Sequence, residues 1–403
     1  MKYIVGIGAI ILIIIGVGTF SIIDRLDRAR TISSLFSGAE QLTNFPRMYK
    51  IFPNTKMSAA PQPYQFEKAA RVTLPEGFTY NGTNWQTTTF LEETDTAALL
   101  VLKDGQIIHE QYRSTGGDRV QWLSMSVAKS FISALIGIAV DEGHIKSIEE
   151  PITQYAPELI GSAYDNVRIK DVLQMSSGAR WNEDYGDPES DINRFGRIFA
   201  LGGSMNDFVA TLEPELEPGS YNRYNSTDTQ ALGILLTNAT GRSITDYMTE
   251  KLYHPMGAET DGYWLTDAEG MEMAFGGLNL TARDYAKIGE IYRRGGQFNG
   301  RQIVPADWVK ASITPDAPHL MPGETELSNY PIGYGLQWWV PEGNEGEFTA
   351  IGVYNQFVYV APKDGVTIVK LSANSAYATS EDGATDREFE TIEFFRAIVD
   401  STN

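Results

Sequence analysis

An α+β fold is expected for this chain. Three observations predict it: short apolar runs separated by turn residues near residue 100, a middle rich in helical periodicity, and a second group of alternating strands after residue 334. Strands at both ends of a helical middle imply one antiparallel sheet assembled from distant parts of the chain and flanked by helices.

Ala97 to Leu102 is an apolar run, and Lys103-Asp104-Gly105 is a turn signal before a second run, Gln106 to Tyr112. The pair reads as a hairpin. Trp122-Leu123-Ser124-Met125-Ser126 then leads into Phe131 to Val140, which is apolar on every side and therefore predicts a buried helix. Gly143 follows it as a C-terminal stop. Residues 150–330 read as a mostly helical subdomain, with Ser243 to Met256 and Thr281 to Arg294 as amphipathic helices, each opened by a capping residue. Tyr334 to Val340, Glu347 to Val353, Gln356 to Ala361 and Val366 to Leu371 form a meander punctuated by Asn344-Glu345-Gly346, Tyr354-Asn355 and Lys363-Asp364-Gly365. Glu388 to Val399 reads as a closing helix.

Upstream of this body, Tyr3 to Ile23 carries no charge and spans about 31 Å as a helix. It is longer than the apolar region of a cleaved signal and lacks an Ala-x-Ala exit, so residues 1–23 are read as a single transmembrane anchor. Residues 24–65, interrupted at Pro46, Pro53, Pro61 and Pro63, are read as a tether, and residues 66–403 as the folded domain. Lys2 on one flank and Arg25, Arg28 and Arg30 on the other slightly favour a cytoplasmic body by charge alone, but long domains translocate regardless of nearby charge. The chemistry described next favours a body outside the inner membrane, in the periplasm.

The 403 residues are 42% hydrophobic and 11% aromatic, enough for a large core. The net charge of −20 opposes nucleic-acid binding. With no cysteine, disulfides, thiolate metal sites and a cysteine nucleophile are excluded. The four histidines, His109, His144, His254 and His319, form no metal-binding spacing. No metal or cofactor is expected, and the oligomeric state is left open.

The residues that carry chemistry are Ser126 and Lys129. Three apart at a helix start, they share a face, so the amine reaches the hydroxyl. A serine needs a neighbour to take its proton, and a lysine on an apolar helix loses its proton more easily. The helix N-terminus favours negative charge developing there. No Gly-x-Ser-x-Gly elbow is present.

Ser126-Val127-Ala128-Lys129 resembles the first motif of the serine β-lactamase and penicillin-binding superfamily. Tyr224-Asn225-Ser226 resembles the Tyr-x-Asn motif of its class C branch. The blocks Tyr224 to Gly233, Gly276 to Tyr285, Gly300 to Pro305 and Tyr334 to Trp339 are similar to those of class C-like esterases and amidases. Asp184-Tyr185-Gly186-Asp187-Pro188 is similar to a stretch of the 6-aminohexanoate-dimer hydrolase group. The resemblance covers about residues 70–400 and implies a β-lactamase/transpeptidase-like fold. It also implies catalysis by Ser126, Lys129 and Tyr224, whose phenol would be acidified by the nearby ammonium, and an oxyanion hole from the Ser126 and Val353 backbone amides. Tyr185, Ser226, Trp338, Trp339, Gly352 and Tyr354 are the candidate substrate-binding residues. Two departures matter: Ala350 stands where β-lactamases carry the lysine of Lys-Thr-Gly, and Ser226 where class C has asparagine. Both point to a small, less charged ester or linear amide as substrate, cleaved through an acyl-enzyme. A penicillin-binding or β-lactamase activity and a non-catalytic cell-envelope binding protein are the alternatives.

Overall fold

The structure, a computed structural model, describes residues 40–343, 346–380 and 383–402. The expected membrane anchor, residues 1–23, lies outside the described residues. Among the described residues no helix is long and apolar enough to cross a membrane.

The elements that frame the site are, in chain order, strands β1 (Asn54–Met57), β2 (Thr96–Lys103), β3 (Gln106–Tyr112) and β4 (Trp122–Leu123), then helices α1 (Ala128–Asp141), α2 (Asp191–Leu201) and α3 (Ser226–Thr240). There follow β5 (Gly262–Leu265), β6 (Leu278–Leu280), α4 (Ala282–Arg293), β7 (Gly333–Tyr334), β8 (Trp339–Val340), β9 (Phe348–Gly352), β10 (Gln356–Ala361), β11 (Val366–Ser372) and α5 (Glu388–Ser401). The main sheet has seven strands in the order β7-β8-β9-β10-β11-β2-β3. Every pair in it is antiparallel. Strand β11 pairs with β2, Ile368 opposite Val101, which joins the two ends of the domain as expected.

Strands β10 and β11 are apolar on both faces because helices cover both. Val358, Val360 and Val369 face one core together with Ile288 and Ile291 of α4. Phe357, Tyr359 and Ile368 face the other with Phe394, Phe395 and Ile398 of α5. Successive residues of a strand point to opposite faces, so alternating positions feed the two layers. Two hairpins turn through paired left-handed residues, Asp104 and Gly105 (φ +52° and +82°) and Tyr354 and Asn355 (φ +63° and +66°). Such turns match the twist of the flanking strands.

Helix α1 is buried along nearly its whole length, and Gly143 follows it with φ +77°. Thr281 caps α4 by accepting from the Asp284 amide at 3.2 Å. The helix expected over Ser243 to Met256 opens as α-helix at Ile244–Met248 and continues as a π-helical turn, Thr249–Tyr253.

Two expectations are corrected. Residues 24–65 were expected to form a tether, but from residue 41 they belong to the body. Phe45 is fully buried against Trp122 and Tyr354, and β1 pairs with β5 in a second, four-stranded sheet ordered β1-β5-β6-β4. The prolines interrupt regular structure there without releasing the chain, because its apolar side chains find partners far away in sequence. The single strand expected over Tyr334 to Val340 is instead two short strands, β7 and β8, folded back through Gln337 at φ +63°. The Gly335 amide donates to the Trp338 carbonyl at 2.8 Å to close that turn.

Candidate active site

Ser126 sits in a 3-10 turn, Met125–Val127, immediately before α1. Met125 holds φ +45°, an unfavourable conformation for a side chain of its size. Neighbouring bonds hold the turn: the Ser124 amide donates to the Leu278 carbonyl at 2.7 Å, and its hydroxyl donates to the Gly276 carbonyl at 3.2 Å. One helical turn on, the Lys129 amine donates to three neutral oxygens: Ser126 Oγ at 2.9 Å, Ser226 Oγ at 3.1 Å and the Phe275 carbonyl at 3.0 Å. Burial pushes the Lys129 amine down to about 7, with the charges of Glu183 and Asp228 partly opposing.

Tyr224 brings its ring within 5.0 Å of the Lys129 amine, and its hydroxyl interacts with Ser126. The ring is stacked on Trp339 at 5.2 Å. The phenol was expected to be acidified by the ammonium, but burial pushes it well above its ordinary value, and the charges of Tyr334 and Glu183 add to that. The expectation counted one neighbouring charge and missed the desolvation that dominates it.

Ser226 opens α3, where Asn225 caps the helix by accepting from the Thr227 amide at 2.8 Å. The Ser226 hydroxyl donates to Glu183 at 2.6 Å, and its amide donates to the same carboxylate at 3.0 Å. Glu183 also accepts from the Tyr185 hydroxyl at 2.8 Å and from the Trp181 indole. A continuous chain of hydrogen bonds therefore runs Glu183, Ser226, Lys129, Ser126.

Strand β9 ends against the Met125–Val127 turn that carries Ser126. A Cβ added at Gly352 would lie 2.8 Å from the Ser124 carbonyl oxygen and 3.0 Å from the Ser126 amide nitrogen, so only glycine permits this approach. Val353 follows it and borders the space above Ser126. Two cavities, each of about 710 Å³, meet here and share Ser126, Tyr185 and Val353. The first is lined by Tyr224, Trp339, Tyr330 and Tyr377 and by five carboxylates, Glu183, Asp184, Asp187, Asp386 and Glu388. The second is apolar.

A profile of the beta-lactamase family matches residues 88–392. The chain belongs to the beta-lactamase family. It is a serine hydrolase of this family, similar to the 6-aminohexanoate-dimer hydrolase of Paenarthrobacter ureafaciens: 32% identical over 291 residues, 70% of this chain and 74% of that protein. Among solved structures, a Bacillus anthracis protein assigned as a 6-aminohexanoate-dimer hydrolase superposes with a TM-score of 0.80, covering 91% of this chain and 95% of that one at 23% identity. EstCE1, a hydrolase with promiscuous acyltransferase activity, superposes with a TM-score of 0.61 over 78% of this chain and 96% of that one, at 15% identity. These two likenesses speak to the fold.

Within this beta-lactamase fold, Ser126, Lys129, Tyr224, Tyr185, Gly352 and Val353 lie together at one place. Trp339 lines the acidic cavity. Trp338 does not: it is fully buried between Tyr292 and Phe348, because the turn at Gln337 sends successive tryptophans to opposite faces. Tyr354 lies beneath the site, packed on Phe45 and Tyr377. Ser226 is fully buried and spends its hydroxyl on Glu183, so it belongs to the hydrogen-bond chain and not to the wall. Sequence reasoning missed Glu183, which accepts from the near neighbours Trp181 and Tyr185 in a loop without regular periodicity. It also missed Tyr330, Tyr377 and Glu388, which carry no motif. Burial pushes the Glu388 carboxyl up to about 7, although it accepts from Tyr330 and, at 2.9 Å, from Tyr377.

Proposed function

We propose that the protein hydrolyses carboxylic esters or linear amides through an acyl-enzyme on Ser126. The observation that carries this is the Lys129 amine, buried, hydrogen-bonded at 2.9 Å to a serine hydroxyl that opens onto a cleft. In its neutral form Lys129 accepts the Ser126 proton as Oγ attacks the carbonyl carbon. The negative oxygen is received by the Ser126 and Val353 amides. Tyr224, held as a phenol by burial, gives its proton to the departing nitrogen or oxygen and regains one from the Lys129 ammonium. The carbonyl–heteroatom bond breaks, leaving an ester on Ser126. Water then attacks that ester while Lys129 takes a proton from it, the bond to Ser126 Oγ breaks as Lys129 returns that proton to Oγ, and the acid departs. Tyr185 contacts the substrate beside the nucleophile, and Trp339 forms its aromatic wall.

The name of the Paenarthrobacter relative supports the amide side of this reading. A penicillin-like substrate is disfavoured by the acidic cavity, whose described lining includes five carboxylates and neither lysine nor arginine, and by Ala350 on β9. The uncharged stretch Tyr3 to Ile23 supports attachment to the inner membrane, and the hydrolase chemistry, not the flanking charge, is what favours a catalytic body in the periplasm.

The test is turnover of p-nitrophenyl esters and short linear amides by the full chain, by Ser126→Ala and by Lys129→Met, with intact-mass detection of an adduct after a fluorophosphonate probe. Ser126-dependent turnover and labelling are expected. Undiminished turnover in both variants overturns the mechanism, and stable labelling by a fluorescent penicillin at low concentration transfers the reading to a penicillin-binding activity.

A further inference from the structure

We propose that the apolar cavity beside Ser126 is the acyl-binding chamber, and that it takes an uncharged hydrocarbon acyl chain of medium length. This deepens the hydrolase reading above and rests on it.

Attack by Ser126 on a carbonyl creates a tetrahedral carbon. Four substituents surround it: the Ser126 oxygen, the negative oxygen, the leaving atom and the acyl carbon. The first is fixed by the nucleophile, and the second points to the Ser126 and Val353 amides. The third must meet the Tyr224 hydroxyl. Tyr224 lines the acidic cavity and not the apolar one, so the leaving group occupies the acidic side. The fourth direction, left for the acyl chain, opens into the second cavity, which shares Ser126 and Val353 with the first.

The lining of that chamber selects for hydrocarbon. Its walls include Met48, Phe52, Ile192, Phe199, Leu265 and Phe275. Met48 and Phe52 come from the segment before β1, Ile192 and Phe199 from α2, and Leu265 from β5, so elements far apart in sequence close one apolar space. Its polar side chains are already engaged. Asn193 donates to the carbonyls of Asp187 at 2.8 Å and Tyr185 at 3.2 Å. Arg197 donates to the Pro188 carbonyl and pairs with Glu189 at 3.6 Å. A charged acyl chain would be desolvated there without a free partner, whereas each buried methylene is favourable. Gly196, in the middle of α2, borders the chamber, and a Cβ added there meets no atom within 4 Å. The chamber can therefore be filled from this position without disturbing its neighbours.

The experiment uses the purified full chain and two substrate series. With the p-nitrophenyl leaving group held constant, kcat/KM is expected to rise about fourfold per added methylene from acetate toward octanoate until the chamber is full. Ethyl octanoate and octyl acetate have the same composition, and the first is expected to be hydrolysed at least about tenfold faster because its chain lies on the acyl side. Gly196→Leu is expected to reduce the octanoate-to-acetate ratio about tenfold or more. A flat chain-length series, equal or faster turnover of octyl acetate, or a ratio unmoved in Gly196→Leu overturns the chamber assignment. In each of those cases Ser126-dependent hydrolysis of acetate esters leaves the hydrolase reading standing. Turnover that persists in Ser126→Ala, or no turnover of any ester or amide, removes the hydrolase reading itself and the chamber assignment with it.

Discussion

Among the described residues two buried lysines, Lys129 and Lys370, donate to serine hydroxyls, and only Lys129 does so beside a cleft. Lys129 donates to Ser126 Oγ at 2.9 Å, and Lys370 donates to Ser372 Oγ at 2.6 Å. Burial lowers the proton affinity of both amines. Yet Ser372 lies in mid-sheet on β11, fully buried, with its hydroxyl also against Thr96 at 3.3 Å. It borders neither cavity. Ser126 stands at a helix start with a phenol, a strand end and two cavities around it. A lysine deprived of water next to a serine is thus a property of burial, and a nucleophile needs in addition a route for the carbonyl and donors for the charge that forms.

The two lysines separate the pairs most strongly. Lys129→Met is expected to lower kcat/KM for esters by about a thousandfold or more, since it removes the base. Lys370→Met should stay within about threefold of the parent and unfold at the same temperature or higher, because an amine with little polar compensation gives way to an apolar chain. Ester turnover and thermal unfolding of both variants check this. A folded Lys370→Met protein as inactive as Lys129→Met would show that the two pairs act together.

Tyr224 sharpens the distinction, because Lys370 has no phenol in the same position. Tyr224→Phe is expected to cost about a hundredfold on a linear amide, whose nitrogen must be protonated to leave, and about tenfold or less on a p-nitrophenyl ester. Parallel kinetics on the two substrates measure the difference, and equal losses would make Tyr224 a packing residue only.

The pH profile gives the next effect. A protonated Lys129 cannot accept the Ser126 proton, and its amine is pushed down to about 7. Activity should therefore fall about tenfold per pH unit below about 7 and level off above it. Glu183 favours the charged amine, so in Glu183→Gln the acidic limb should move toward lower pH. A limb displaced toward higher pH, or not at all, would remove Glu183 from the electrostatics of the pair.

The smallest effect concerns the two adjacent tryptophans. Trp339→Ala is expected to raise KM about tenfold or less by opening the cleft wall, whereas Trp338→Phe should lower the unfolding temperature by a few degrees and leave KM near the parent value. Steady-state kinetics and unfolding curves separate the two, and a matching rise in KM for Trp338→Phe would contradict its place in the core.

Much of the frame was legible before any coordinates. The nearly all-apolar run Phe131 to Val140 predicted a buried helix, and i, i+3 spacing put Lys129 on the face of Ser126. Asp104-Gly105 and Tyr354-Asn355 marked hairpins because aspartate, glycine and asparagine tolerate left-handed backbone. The tether was misread because prolines signal local interruption and say nothing of the burial of Phe45 and Met57. The phenol of Tyr224 was misread for a related reason: its proton affinity is governed by how much water the surrounding fold removes, which no sequence spacing reports.

By itself the sequence determined the strand–helix–strand order, the Ser126–Lys129 spacing, and the presence of Ala350 where the resemblance leads one to expect a lysine. These depend on neighbours within a few residues or on the identity of one side chain. The tertiary structure alone decided which serine–lysine pair opens to solvent, that Glu183 completes a hydrogen-bond chain through Ser226, and that two cavities of opposite character meet at Ser126. Those features arise where segments from residues 48, 183, 226, 275, 352 and 388 converge, and convergence is set by the packing of the whole domain.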